Sequence, residues 1–288
     1  MATIREIRRR ITAVKSTRKI TRAMQLVAAA KLRRAQENIL KLRPYARRFE
    51  QLMAQVAFRT GRDIHPLLTG KKEARRILIV LVTGDSGLSG GFNANVIRAA
   101  KSYIAEHADC ERLDFYCIGR KGRDFFVKSV NRVVGQKVNF FNKLKFSDAI
   151  QTVSGIVELY LRERYDRVEI LYNEFGSAIR QNLTLKQFLP FVPAEPDKIS
   201  PAIDYLYEPD EQAILNTLIP ANLEVQMSRV MLESYAAEMG AKMTAMDAAT
   251  ENADELLNTL SVSYNRARQA QITRELTELV GGAESIGG

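Results

Sequence analysis

From Thr3 to about Phe58 the chain contains no glycine, and Pro44 is the single helix breaker. Apolar residues recur there at three- and four-residue steps: Ile4, Ile7, Ile11, Val14, then Ala28, Leu32, Ala35, Ile39, Leu42, Ala46, Phe49, Met53 and Val56. All fall on positions a and d of one heptad register, the pattern of a helix with a narrow seam for a partner helix. The same register puts Arg18, Thr21 and Gln25 in the seam, a polar break in an apolar stripe. At 1.5 Å per residue such a helix is roughly 80 Å long, too long to wrap a compact core. Pro44 should kink it or mark a joint.

The other end mirrors this. From Pro220 to Val280 there is one glycine, Gly240, and no further proline. Pro220 suits the first turn of a helix, or a kink after a short segment from Glu211 to Ile219. Ala237, Ala241, Ala245 and Ala249 make an i, i+4 ridge that permits close helix approach. Leu256, Leu260, Tyr264, Ala267, Ile272, Leu276 and Leu279 continue it, giving roughly 90 Å of helix. Net charge is +10, and its distribution is uneven: residues 1–60 carry 16 Lys and Arg against Glu6, Glu37 and Glu50, whereas residues 209–288 carry 12 acids against five bases. Two long helices of opposite charge with matching stripes predict one intramolecular antiparallel coiled coil. Two independent helices lying on a globular domain are the alternative, and neither has a domain large enough to cover it.

The expected organisation is an N-terminal coiled-coil helix over 1–60, an α/β domain over 76–196 and a C-terminal coiled-coil helix over 209–288. In the middle, Ile77–Val82 is a continuous apolar run of the kind a buried parallel strand shows. A helix near Ala94–Ala105, a strand at Leu113–Ile118, a helix at Asp148–Arg164 capped by Ser147 or Asp148, and a strand at Val168–Tyr172 follow. The alternation predicts a small, parallel-sheet, Rossmann-like domain of four or five strands with helices on its faces. The proline-rich segment 193–210 is the connection back to the C-terminal helix.

Few residues offer chemistry. Cys110 and Cys117 make no disulfide framework, and with His65 and His107 they are too scattered for a zinc cluster. No apolar run approaches the ~20 residues of a spanning helix. The Arg-rich N-terminus lacks an apolar h-region and runs unbroken into the helix, so it reads as mature protein. The turn TGDSGLSGGFN at 83–93 lies between a strand and a helix, where glycines can cradle a phosphate. It fits neither GxGxxG nor a P-loop, and a tight structural turn is the simpler reading. The basic helix could meet nucleic acid, but it has no interleaved aromatics before Tyr45, and an acidic protein partner suits it better.

The stretch ITAVKSTRKITRAMQLVAAAKLRRA at 11–35 closely resembles the first signature of a known family, the γ subunits of bacterial F-type ATP synthases. Ala13 stands where serine is commoner. The stretch YNRARQAQITRELTELVGGA at 264–283 carries the second signature, with Ile272, Thr273, Glu275, Glu278, Gly282, Ala283 and then Ser285 at the family spacing. The turn at 83–93 is also similar, with Ser86 where arginine is usual and Ser89 where cysteine or alanine is usual. The resemblance runs from end to end.

The resemblance implies a central-stalk rotor without a catalytic site of its own, one copy per H+-transporting ATPase complex. It would turn inside a head of three α and three β subunits and rest on the ε subunit and the c-subunit ring, with no nucleic acid. ATP, ADP and Mg would be held by partner subunits, so no cofactor is expected on this chain. The location implied is peripheral, on the cytoplasmic side of the cell membrane. By the same resemblance Arg268, Gln269 and Thr273 would contact a catalytic-subunit loop, and Met24 would sit near the moving shaft surface. The apolar residues Ile272, Leu276, Leu279 and Val280 suit a hydrophobic bearing at the tip. Arg8, Arg9, Arg33 and Arg34 suit acidic segments of the partners.

Overall fold

The structure, a computed structural model, describes residues 3–60, 65–69, 73–129, 132–162, 165–192 and 211–286. The proline-rich connection expected at 193–210 lies outside them. In chain order the elements are α1 (Ile4–Thr60), β1 (Arg76–Val82), α2 (Phe92–Glu106), β2 (Arg112–Ile118), α3 (Arg120–Phe126), β3 (Val133–Lys137), α4 (Phe146–Leu161), β4 (Arg167–Phe175), β5 (Gln181–Leu189) and α5 (Glu211–Ile286). The chain divides into two compact units: residues 1–28 with 243–288, and residues 29–242.

The first unit is an antiparallel pair of helices. Thr3 opens α1 with a reciprocal cap: its backbone N–H donates to Glu6 Oε2 at 2.9 Å, and its hydroxyl accepts from the Glu6 N–H at 3.3 Å, so two of the orphan donors of the first turn are satisfied. Ile7, Thr21 and Ala28 are buried on α1, all on the expected heptad seam. Met246, Thr250, Ala253 and Leu257 are buried on α5. Leu256, expected on the α5 ridge, is instead 47% exposed, while its neighbour Leu257 is buried. A ridge of four-residue steps drifts about 40° around the helix each time, whereas a heptad seam alternates three and four and stays in line. Ala237 and Ala241 therefore pack in the second unit, and the seam of the first continues from Met246 instead.

The second unit is built on a five-stranded sheet of order β3-β2-β1-β4-β5. β1 pairs in parallel with β2 and β4, and β2 with β3. β5 is antiparallel to β4. The short turn between β4 and β5, closed by Gly176 N–H to Arg180 O at 3.2 Å, leaves room only for a hairpin. The sheet is therefore mixed rather than wholly parallel. Ile77, Ile79 and Leu81 of β1 face α2 and α3, while Leu78, Val80 and Val82 face α4 and the long helices. Apolar cover on both faces explains why β1 reads as an unbroken apolar run.

Met53 and Val56 of α1 and Leu215, Ile219, Leu223, Met227, Val230 and Met231 of α5 belong to that second core. Pro220 is inside α5, not in its first turn. Leu215 and Ile219 are fully buried just before it, and at ~1.5–3 kcal/mol each they offset the roughly 3 kcal/mol cost of an internal proline. Pro44 likewise lies within an uninterrupted α1. The start of α4 also differs from expectation: Lys145 is the N-cap, and Asp148 sits three residues in, accepting the Lys145 N–H at 2.9 Å.

Candidate interaction surfaces

The polar break in the seam fixes how the first unit's helices align. Arg18 Nη1 donates to Asp254 Oδ1 at 2.6 Å, Gln25 Nε2 to Asp247 Oδ1 at 2.6 Å, and the hydroxyls of Thr21 and Thr250 meet at 2.8 Å. Thr21 also reaches Arg18 O at 3.0 Å and Thr250 reaches Met246 O at 2.7 Å, so one hydroxyl donates within its own helix and the other across the seam. All three pairs belong to a single antiparallel register. Polar groups in a seam penalise any slip, because sliding by one heptad would bury them unpaired. The complementary charge of the chain ends meets at Arg18–Asp254, an ion pair with side chains about half exposed. Such pairs contribute ~0.2–1 kcal/mol.

Beyond the seam α5 runs on alone. Counting outward from Arg18 and Asp254, α1 ends opposite about residue 269 of α5, and every residue from Arg268 to Val280 is exposed. Ile272, Leu276, Leu279 and Val280 are 48%, 57%, 70% and 60% exposed. Steps of four, four and three put Arg268, Ile272, Leu276 and Leu279 along one stripe. Among the described residues the Arg268 and Gln269 side chains have no hydrogen-bond or ionic partner, and the Thr273 hydroxyl donates to Gln269 O at 3.0 Å. Ile272, Leu276 and Leu279 thus leave an apolar stripe of α5 open to solvent.

The basic side chains also face outward. Arg8, Arg9 and Arg34 are exposed and pair with no described acid; Arg33 reaches Glu37 at 3.2 Å, one turn on, with both side chains exposed. Met24 is half-buried beside the polar break.

The turn at 83–93 is occupied by its own polar groups. The Gly84 N–H donates to Asn93 Oδ1 at 2.8 Å, and Asn93 Nδ2 donates to Ser86 O at 3.2 Å. The Gly122 N–H donates to the buried Thr83 hydroxyl at 2.9 Å. Asp85 accepts from the backbone N–H groups of Arg120 and Asn139 at 3.0 and 2.9 Å. Glu238 of α5, 2% exposed, lies directly over Gly84. Two carboxylates around the turn oppose an anionic ligand.

Burial pushes the Cys117 thiol up to about 12 and raises Cys110 as well, so neither is poised as a nucleophile. His65 accepts from the Leu67 N–H at 3.1 Å, and burial holds its imidazole below the usual range. The described residues contain no cluster able to hold a metal and no helix long and apolar enough to cross a membrane.

Two features escaped the sequence reading. Arg229 of α5 binds Glu233 at 2.8 Å and approaches Glu50 of α1 and Glu174 of β4 at 3.8 and 4.0 Å. Glu238 pairs with Lys242 at 3.3 Å beneath Ser86. The signal for the second was present as a Glu and a Lys one turn apart in a stretch of small residues that had to be buried.

Two long terminal helices with a mixed α/β sheet between them in the chain define the fold class. The fold matches a chain in the rotor of the Euglena gracilis mitochondrial ATP synthase, with a TM-score of 0.65 over 93% of this chain and 98% of that one, at 20% identity. A family model described as ATP synthase matches residues 3–286. The ATP synthase gamma chain of Chloroherpeton thalassium is 47% identical over 300 residues, covering 99% of each chain. That of Chlorobaculum parvum is 44% identical over 291 residues, again covering 99% of each. The chain belongs to the ATP synthase γ-chain family.

Proposed function

We propose that this chain is the central shaft that couples rotation of a c ring to ATP synthesis or hydrolysis in a head of three α and three β subunits. The observation that carries this reading is the α5 overhang: a helix beyond its coiled-coil partner, exposed on all sides, with an apolar stripe headed by Arg268. A bearing of stationary subunits would close around that stripe. Arg268, Gln269 and Thr273 would meet a catalytic-subunit loop at its base, and Met24 would lie on the moving surface. Arg8, Arg9, Arg33 and Arg34 would face acidic segments, since long-range charge suits a contact that slides better than interlocking side chains do.

The chain itself holds no nucleotide in this reading; ATP, ADP and Mg belong to the head. The carboxylates of Asp85 and Glu238 at the glycine turn support that. The α/β domain would meet the ε subunit and the c ring, at the cytoplasmic face of the cell membrane. Each catalytic subunit would see a different side of the asymmetric shaft, and these differential contacts bias each site toward binding, synthesis or release.

The test is ATP-driven proton pumping by reconstituted complexes. Arg268→Ala and Gln269→Leu should each lower pumping or assembly, since a charge-assisted hydrogen bond in a closed sleeve contributes roughly 1.5–3 kcal/mol. Lys41→Ala, at an exposed position, should behave as wild type. Tip variants that pump and assemble like Lys41→Ala would make the tip a passive spindle and sink the site assignment.

A further inference from the structure

A shaft must resist twisting where its load enters, and apolar packing alone allows a helix to slide and turn. In the second unit, the stretch of α5 from Ala237 to Lys242 is held at two places by the α/β fold. On one side Glu238 Oε1 accepts from the Ser86 hydroxyl at 3.2 Å and from Lys242 Nζ at 3.3 Å, and Lys242 Nζ donates to Ser86 Oγ at 2.7 Å. These three groups close a triangle that joins two turns of α5 to one side chain of the glycine turn. The carboxylate lies against residue 84: a Cβ there would be 2.7 Å from Glu238 Cδ, so an alanine would push the carboxylate aside. On the other side, a Cβ at Gly240 would lie 3.0 Å from the carbonyl oxygen of Ala178, in the β4–β5 hairpin. Between the two seats, Ala237 and Ala241 pack on Phe92 and Phe175.

The glycine turn is itself stiff. Asn93 ties both its ends, Asp85 is fastened to α3 and to Asn139, and Thr83 bridges to Gly122. A rigid turn holding a buried charge by directional bonds resists rotation in a way a greasy face cannot.

We propose that Gly84, Ser86, Glu238 and Lys242 form a torsional lock that fixes α5 against rotation about its own axis within the α/β domain. The lock rests on the shaft reading and adds the site at which twist passes between the domain and the helix. Ser86 is a positioning residue: it acts through Glu238 and Lys242 and touches no nucleotide.

The test uses assembled complexes held by their heads and stalled with a non-hydrolysable nucleotide, with a bead attached through Lys128→Cys, an exposed site on the domain. The angular variance of the bead should about double in Ser86→Ala and Gly84→Ala, because one of the two seats is lost. Glu238→Gln should fall between wild type and Ser86→Ala, since the amide keeps the size and an acceptor but loses the charge that Lys242 pairs with. ATP hydrolysis without load should change little, while pumping against a proton gradient should fall about threefold or more. Ser86 lies at the surface, so Ser86→Ala keeps the fold even where Gly84→Ala does not assemble. Wild-type variance and pumping in assembled Ser86→Ala complexes would overturn the lock. If wild-type and Lys41→Ala complexes do not rotate, the shaft reading fails instead.

Discussion

Glu238 stands in a run of alanine and methionine, and its environment determines how its charge behaves. Burial holds its carboxyl above the usual carboxylate range; Lys242 and the Ser86 hydroxyl pull it back, and Asp85 pushes it further up. A carboxyl raised on folding binds its proton more tightly in the native chain. Its contribution to stability is therefore full at low pH and is lost as pH rises from its ordinary value of 4.5 through the native one. Glu238→Gln removes that loss. In urea unfolding of the full chain, the glutamine variant should gain on wild type steadily as pH rises from acid to neutral. A difference independent of pH would mean that the carboxylate feels no net penalty from burial.

At the scale of elements, the polar break predicts the pairing of α1 with α5. Thr21→Cys with Thr250→Cys should form a disulfide within one chain, because their hydroxyls already meet at 2.8 Å and a bridge needs Cβ atoms about 3.8 Å apart. Ile20→Cys with Thr250→Cys should not, since Ile20 is 59% exposed and lies off the seam. Crosslinking in both pairs alike would mean that the register slips. A second prediction concerns α4. Burial opposes ionisation of Asp148, but the Lys145 N–H and the Lys137 ammonium, 3.0 Å away, hold its carboxyl below the usual range. Asp148→Asn should cost ~0.3–1 kcal/mol, the worth of a carboxylate in a helix's first turn that also pairs with a lysine. For a depressed carboxyl the stability is present above its unfolded pKa and lost as pH falls through the native one, so the cost should shrink in acid. A cost that stays constant down to full protonation would locate the effect in packing.

The same elements show what a sequence can and cannot display. The α1 seam was legible because its heptad repeats without interruption, even across the polar break. The α5 seam is not legible at Leu256, because two adjacent leucines satisfy a hydrophobic count equally and only the facing helix selects Leu257. The fifth strand was hard to see because Leu183 and Leu185 on β5 are both 44% exposed, so its alternation does not match one buried face. The Glu238 seat depends on two segments more than 150 positions apart, and no local pattern announces such a meeting.

For the molecule as a whole, the overhang should be dispensable for folding and needed for work. Removing the chain from residue 270 onward deletes only exposed side chains as far as Val280, so the thermal midpoint of the truncated chain should match that of the full one. Pumping by complexes built on it should fall. A truncated chain that melts early would mean the overhang folds back on its own unit. That step from two helices to one also changes flexural rigidity along the length. Two bonded helices bend far less readily than one, so the pair tapers from a stiff beam to a pliant end. A pliant end can centre itself in an imperfect socket at every angle, absorbing small misalignments that a beam of uniform stiffness would pass on as friction.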